Sequence, residues 1–151
     1  MAQVGDVFPH LLQLRKVVPR EQDNITVNLK RDPHKILVVF CWLTKKKEKV
    51  LLQLADLNLF LDKGTTSIQK NVQVCTIGFD QEFHHCKGML DKTYAHSSKV
   101  EHYWIAQSPT KDELDITDFP TYFLTDFDGV IWKRGHVSID KIEYLCKEIV
   151  H

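Results

Sequence analysis

The spacing of apolar positions changes several times along this chain, and each change predicts an element. From Lys35 to Trp42 the sequence reads KILVVFCW, an almost unbroken apolar run rich in β-branched residues. Such a run suits a strand covered on both faces, as the central strand of a parallel sheet is. From Lys45 to Asp62 the period lengthens: Val50, Leu51, Leu54, Leu57 and Leu61 recur at three- and four-residue steps. That spacing predicts an amphipathic helix, with Gly64 placed to end it. Asn71 to Ile77 (NVQVCTI) returns to strand character, and Asp80 is a fitting N-cap for a helix carrying Phe83, Cys86, Met89 and Leu90 on one face. Strand, helix and parallel strand form a βαβ unit, whose crossover is expected to be right-handed.

In the second half, Lys99 to Ala106 (KVEHYWIA) predicts a short strand and Ser108 to Leu114 (SPTKDEL) a helical turn opened by Ser, Pro and Thr. Thr121 to Phe127 and Val130 to Arg134 read as two strands joined by Asp128-Gly129, the strongest short hairpin signal, so they should be antiparallel. Ser138 then caps a helix whose Ile139, Ile142, Leu145, Cys146 and Ile149 make one apolar stripe. The order predicts an α/β fold over residues 1–151 as a single domain. It has a central mixed sheet flanked by helices, an N-terminal extension, and a strand-helix insert before the final β-β-α. No repeat, low-complexity tract or interdomain linker breaks it.

Composition narrows the function classes. The chain has 151 residues, 43% hydrophobic and 26% charged, enough for one domain with its own core. Twenty Lys and Arg balance twenty Asp and Glu, so no global field draws it to nucleic acid or to a membrane. A partner must be recognised locally. The longest apolar stretch, Ile36 to Leu43, is too short to span a bilayer, and Met1 to Leu12 has no basic segment followed by an apolar run. A soluble, intracellular chain is expected, most simply cytoplasmic. None of the four cysteines stands at C-x-x-C spacing, which predicts reduced, buried thiols rather than a disulfide framework.

Two segments carry a family resemblance. Val4-Gly-Asp-Val-Phe-Pro9 is similar to an opening "vGd-x-x-P" segment, and Phe119-Pro-Thr-Tyr-Phe-Leu-Thr-Asp-Phe-Asp-Gly-Val-Ile131 to an "x-P-T-x-x-hydrophobic-D-x-x-G-x-I" stretch. With the element order, these make nearly the whole chain resemble the thioredoxin-like superfamily, in the branch of peroxiredoxins and bacterial membrane-anchored thiol-disulfide oxidoreductases. The resemblance implies a thioredoxin-like fold, a small hairpin before the central strand, and a cis Phe119-Pro120 bond. In redox-active relatives Trp-Cys-x-x-Cys opens the next helix, whose N-terminus stabilises the thiolate. Here Phe40-Cys-Trp-Leu-Thr-Lys-Lys-Lys-Glu-Lys49 puts Lys45 and Glu48 at those positions, and no peroxiredoxin-like Thr-x-x-Cys follows the strand. Dithiol exchange lacks both thiols there, so the chain reads as redox-inactive, not an enzyme, and without a cofactor.

Other residues offer candidate chemistry of their own. Cys41 and Cys75 lie in predicted strands and Cys146 on an apolar stripe; Cys86 stands beside His84 and His85, whose imidazolium would lower a thiol pKa, although its helical spacing turns it inward. His84, His85, Cys86, His96 and His102 lack the paired spacing of a zinc site, and no metal is expected. Asp126-Phe-Asp-Gly-Val-Ile131 matches the opening haloacid dehalogenase motif, whose first carboxylate attacks phosphate, yet only twenty residues follow Ile131 and a turn explains the same residues. Lys45, Lys46 and Lys47 oppose the positive end of a helix dipole at ~0.3 to 1 kcal/mol each. With exposed helix-start amides they also offer an anion, acidic-peptide or RNA-backbone site.

The thioredoxin-like resemblance implies a groove between the loop after the central strand and the proline loop. The partner-binding residues expected there are Trp42, Leu43, Thr44 and Lys45 on one side and Asp118, Phe119 and Pro120 on the other. Backbone pairing beside Pro120 would supply affinity, with Trp42 or Phe119 as anchor. The expected function is a protein-protein interaction or assembly module, an adaptor or subunit whose partner is another protein or a larger complex. Two alternatives stand beside it: a single-cysteine thiol reductase or peroxidase using Cys86 or Cys41, and an anion or nucleic-acid binder through Lys45 to Lys49.

Overall fold

The apolar run forms strand β3 (Ile36–Trp42), and every one of its residues is buried. The computed structural model describes residues 2–9, 13–18, 26–29, 31–92, 99–106, 111–112 and 114–150. Strand β3 lies between β4 (Val72–Gly78), parallel to it with Ile36 opposite Val72, and β6 (Thr121–Thr125), antiparallel with Cys41 opposite Thr121. Strand alternation sends Ile36, Val38, Phe40 and Trp42 into one core and Leu37, Val39 and Cys41 into a second core on the opposite face. A strand whose two faces are both apolar needs both layers. That is why KILVVFCW carries no polar alternation.

Among the described residues the sheet has seven strands in the order β2-β1-β5-β4-β3-β6-β7, adding β1 (Gln13–Val17), β2 (Thr26–Asn28), β5 (Val100–Trp104) and β7 (Ile131–Gly135). The β3–β4 and β4–β5 pairs are parallel and the rest antiparallel, so the sheet is mixed. At its outer edge Val7 bridges Val130, and Gly5 N donates to Ile131 O at 2.8 Å, so the opening segment runs beside the start of β7. The β6–β7 turn places Gly129 at φ 83°, a conformation open to glycine. Asp126 Oδ1 accepts the Asp128 and Val130 amides at 2.9 and 3.0 Å, so the carboxylate of the D-x-D-G motif holds this turn.

Among the described residues four named helices flank the sheet: α1 (Lys47–Asp62), α2 (Thr66–Asn71), α3 (Phe83–Asp91) and α4 (Ile139–Val150). Helix α1 buries Val50, Leu54, Leu57, Phe60 and Leu61. It starts two residues later than the spacing predicts, because Thr44–Lys46 winds as a 3-10 turn. Gly64 does not end α1 through a left-handed conformation; a Cβ there would stand 2.6 Å from the Phe60 carbonyl, so close approach requires the glycine. Helix α2 escaped the periodicity, since six residues hold too little pattern; Thr65 caps it by accepting the Ile68 amide at 3.3 Å, and Ile68 is buried. Helix α4 begins with the Lys141 amide donating to Ser138 Oγ at 3.2 Å and buries Ile142 and Cys146. The turn expected over 108–114 lies mostly outside the described residues. Among the described residues no helix is long and apolar enough to cross a membrane.

Candidate functional site

Because β3 and β6 are neighbours, the chain leaving Trp42 and the chain entering Thr121 emerge at the same end of the sheet. The Phe119–Pro120 peptide bond is cis, and the Asp118 carbonyl accepts the Thr121 hydroxyl at 2.6 Å. A groove of about 560 Å³ opens there. Lys46, Lys49 and Gln53 form one wall, Asp118, Phe119 and Pro120 the other, and Tyr122, His136, Val137 and Ser138 complete it. On the other side of Phe119 lies a second depression of about 520 Å³, lined in part by Leu43, Phe79, Lys111 and Ile116. The half-buried Phe119 ring packs 5.2 Å from the Phe79 ring and forms a ridge between the two hollows.

The seven residues expected at this site divide. Asp118, Phe119 and Pro120 line the groove, and Leu43 lines the depression beyond Phe119. Lys45 is exposed, but Lys46 and Lys49 take the groove wall. Thr44 is turned inward to Asp80. Trp42 is corrected from partner anchor to core: it is 0% exposed, because as the last residue of β3 it lies under Gly78, where a Cβ would stand 3.2 Å from the Trp42 ring. Its indole Nε1 is buried with no hydrogen-bond acceptor among the described residues.

Asp80, expected as a helix N-cap, has another role. Glu82 is the N-cap of α3 and gives no side-chain cap bond. The Asp80 carboxylate accepts the Thr44 amide at 3.0 Å, the Thr44 hydroxyl, and the Cys86 thiol at 3.2 Å, while its carbonyl accepts Trp104 Nε1 at 2.8 Å. Asp80 thereby ties the 3-10 turn to α3 through its side chain and to the end of β5 through its carbonyl. Burial raises the Cys86 pKa and the Asp80 charge raises it further, while His84 and His85 pack on each other with ring centroids 4.4 Å apart. Burial likewise raises Cys41 and Cys75, and pushes Cys146 up to about 12 with help from Glu143. All four thiols are buried and unpaired, which disfavours the nucleophilic thiolate at each.

Charge in the groove is organised around one contact that sequence reasoning missed. His136 Nε2 stands 2.9 Å from Asp118 Oδ2, and this hydrogen bond is the main cause that holds the Asp118 carboxyl below its ordinary range, with Lys46 adding to it. His136 is eighteen positions away in sequence; only the β6–β7 pairing of Tyr122 with Gly135 brings it near. The Tyr122 phenol, raised by burial, donates to Gln53 Oε1 at 2.6 Å across the groove floor. Among the described residues no group of three or more His, Cys, Asp or Glu side chains is placed to hold a metal ion, and His96 lies outside them.

No protein-family model matches the chain, and no curated protein sequence does. Solved structures are similar to it along nearly its whole length. A thiol-disulfide isomerase from Corynebacterium glutamicum has a TM-score of 0.70 at 14% identity, covering 97% of this chain and 96% of its own. An exposed lipoprotein thioredoxin from Streptococcus pneumoniae has a TM-score of 0.68 at 15% identity, over 89% and 98%. The thioredoxin domain of a thiol-disulfide oxidoreductase from Bacteroides vulgatus has a TM-score of 0.62 at 19% identity, over 100% of both chains. These likenesses overturn the expectation that the chain is not an enzyme. The proteins sharing its fold include ones named as a thiol-disulfide oxidoreductase and a thiol-disulfide isomerase, and the missing C-x-x-C pair rules out exchange through that pair rather than enzymatic activity as such. The chain has the thioredoxin-like fold that these solved structures share.

Proposed function

We propose that this chain recognises an extended polypeptide segment of a partner protein in the groove beside Phe119–Pro120, as an adaptor or subunit of a larger assembly. The observation that carries the reading is the half-buried Phe119 ridge with a hollow on each side. Side chains i and i+2 of an extended segment point the same way about 6.6 Å apart, so one enters each hollow with Phe119 between them. Backbone pairing beside Pro120 adds directional bonds, and the aromatic ridge supplies the apolar anchor that Trp42, being buried, does not. At the two positions where redox-active relatives carry the dithiol, this chain has Lys45 and Glu48, so the groove binds without exchange through that pair. The same reading carries a soluble, intracellular setting, supported by four unpaired, buried thiols of the kind that reducing compartments preserve.

The test is a peptide-display selection on the native chain, with the selected peptides then measured against Phe119→Ala. The reading expects the variant to keep its fold by circular dichroism and to bind those peptides about tenfold more weakly, the effect of removing one interface anchor. Equal affinity for the wild type and Phe119→Ala overturns it.

A further inference from the structure

We infer that the segment held beside Pro120 is charge-patterned: acidic where it passes Lys46 and Lys49, and basic where it passes Asp56, Asp140 and Glu143. This rests on the groove reading above and adds the partner's chemistry to it. The groove does not end at Tyr122. A further cavity of about 490 Å³ runs between α1 and α4, and Gln53 and Ser138 line both, so the two make one trough. Along α1 the wall of that trough runs Lys49, Gln53, Asp56 and Phe60, at three- and four-residue steps that keep one stripe on the helix face, with Lys46 of the 3-10 turn before it and Lys63 after it. The Tyr122–Gln53 hydrogen bond of 2.6 Å fixes the junction.

The charges along this trough are sorted by sign. At the Pro120 end the cationic groups are Lys46 and Lys49, and the carboxylate present, Asp118, is hydrogen-bonded to His136. At the other end Asp56, Asp140 and Glu143 outnumber Lys63; Glu143 is also paired with Lys147 at 3.6 Å, so Asp56 and Asp140 carry the negative end. Lys49 and Asp56 are seven residues apart on α1, roughly 10 Å along its axis. That span equals about three residues of an extended segment. A uniformly acidic or uniformly basic segment gains at one end and is repelled at the other, whereas a segment with separated clusters gains at both. With formal net charge +0, the molecule has no global field to override this local pattern.

The experiment uses fluorescein-labelled seven-residue peptides of identical composition: a Glu pair and a Lys pair separated by three apolar residues, the reverse order, and a version alternating Glu and Lys. Anisotropy is read on the wild type, on Lys46→Glu/Lys49→Glu, on the charge-inverted Lys46→Glu/Lys49→Glu/Asp56→Lys/Asp140→Lys, and on Phe119→Ala. We expect one separated peptide to bind the wild type at least about tenfold more tightly than the alternating one at low salt, with the gap closing as salt screens the charges. The Lys pair reversal should abolish that preference, and the fully inverted chain should favour the opposite peptide. If all peptides bind alike and inversion changes nothing, while Phe119→Ala still weakens them, the groove reading stands and the charge pattern is refuted. If no peptide binds, or if Phe119→Ala is without effect, the groove reading itself fails and takes the pattern with it.

Discussion

Asp80 serves three neighbours from three different elements: its carboxylate holds Thr44 before α1 and Cys86 in α3, and its carbonyl holds Trp104 at the end of β5. Asp80→Ala leaves a partly buried amide, hydroxyl and thiol without that acceptor, and should cost ~1 to 3 kcal/mol of unfolding free energy. Urea denaturation measures it; a loss within error of zero would show that water replaces the carboxylate. His136 makes a prediction of the opposite kind, about titration rather than stability. Its hydrogen bond is the chief reason that the Asp118 pKa is lowered, so His136→Gln should move the Asp118 titration upward, followed by carboxyl carbon NMR. A carboxylate with a depressed folded pKa adds stability above its unfolded value, near ~3.9, and loses it as pH falls through the folded value. Both partners are exposed, at 51% and 71%, so screening keeps the stability effect small and the titration is the proper readout.

Among the elements, the junction of β4, α3 and β3 is the tightest. A Cβ on Gly78 would collide with Cys86 Sγ and stand 3.2 Å from the Trp42 ring, and neither neighbour is a mobile side-chain end. Gly78→Ala should therefore destabilise by ~1 to 3 kcal/mol, an overpacking cost, read as a lowered urea midpoint. An unchanged midpoint would mean that α3 shifts freely. The same elements show what the sequence discloses. Strand β3 was legible because seven successive buried positions leave no polar alternation, and the β6–β7 hairpin because Asp128-Gly129 marks the turn. Trp42 was ambiguous: its apolar run is the same whether the last residue of the strand is covered or left at the mouth of a groove. Asp80 precedes a helix in sequence, which favours a capping role, and only the fold shows Thr44 within its reach. Lys46 and Lys49 replaced Lys45 because the 3-10 turn rotates the start of α1 relative to an ideal helix.

For the molecule as a whole, the sheet separates two apolar cores, and the four cysteines are distributed between them: Cys86 and Cys146 in one, Cys41 and Cys75 in the other. Burial raises the pKa of each, so none should be alkylated by iodoacetamide between neutral and mildly alkaline pH while the chain is folded, and all should be after denaturation. Site-resolved mass spectrometry reads this, and fast native labelling of Cys86 or Cys41 would point to thiol chemistry instead. The partner groove lies where the proline loop meets the start of α1. Its most direct test is a titration of the nitrogen-15-labelled chain with a display-selected peptide, followed by amide NMR shifts. Binding in the groove should place the largest saturable shifts on Asp118, Phe119, Thr121 and the Lys46-to-Gln53 stretch. Binding that leaves these amides unmoved and shifts another face of the sheet would contradict it.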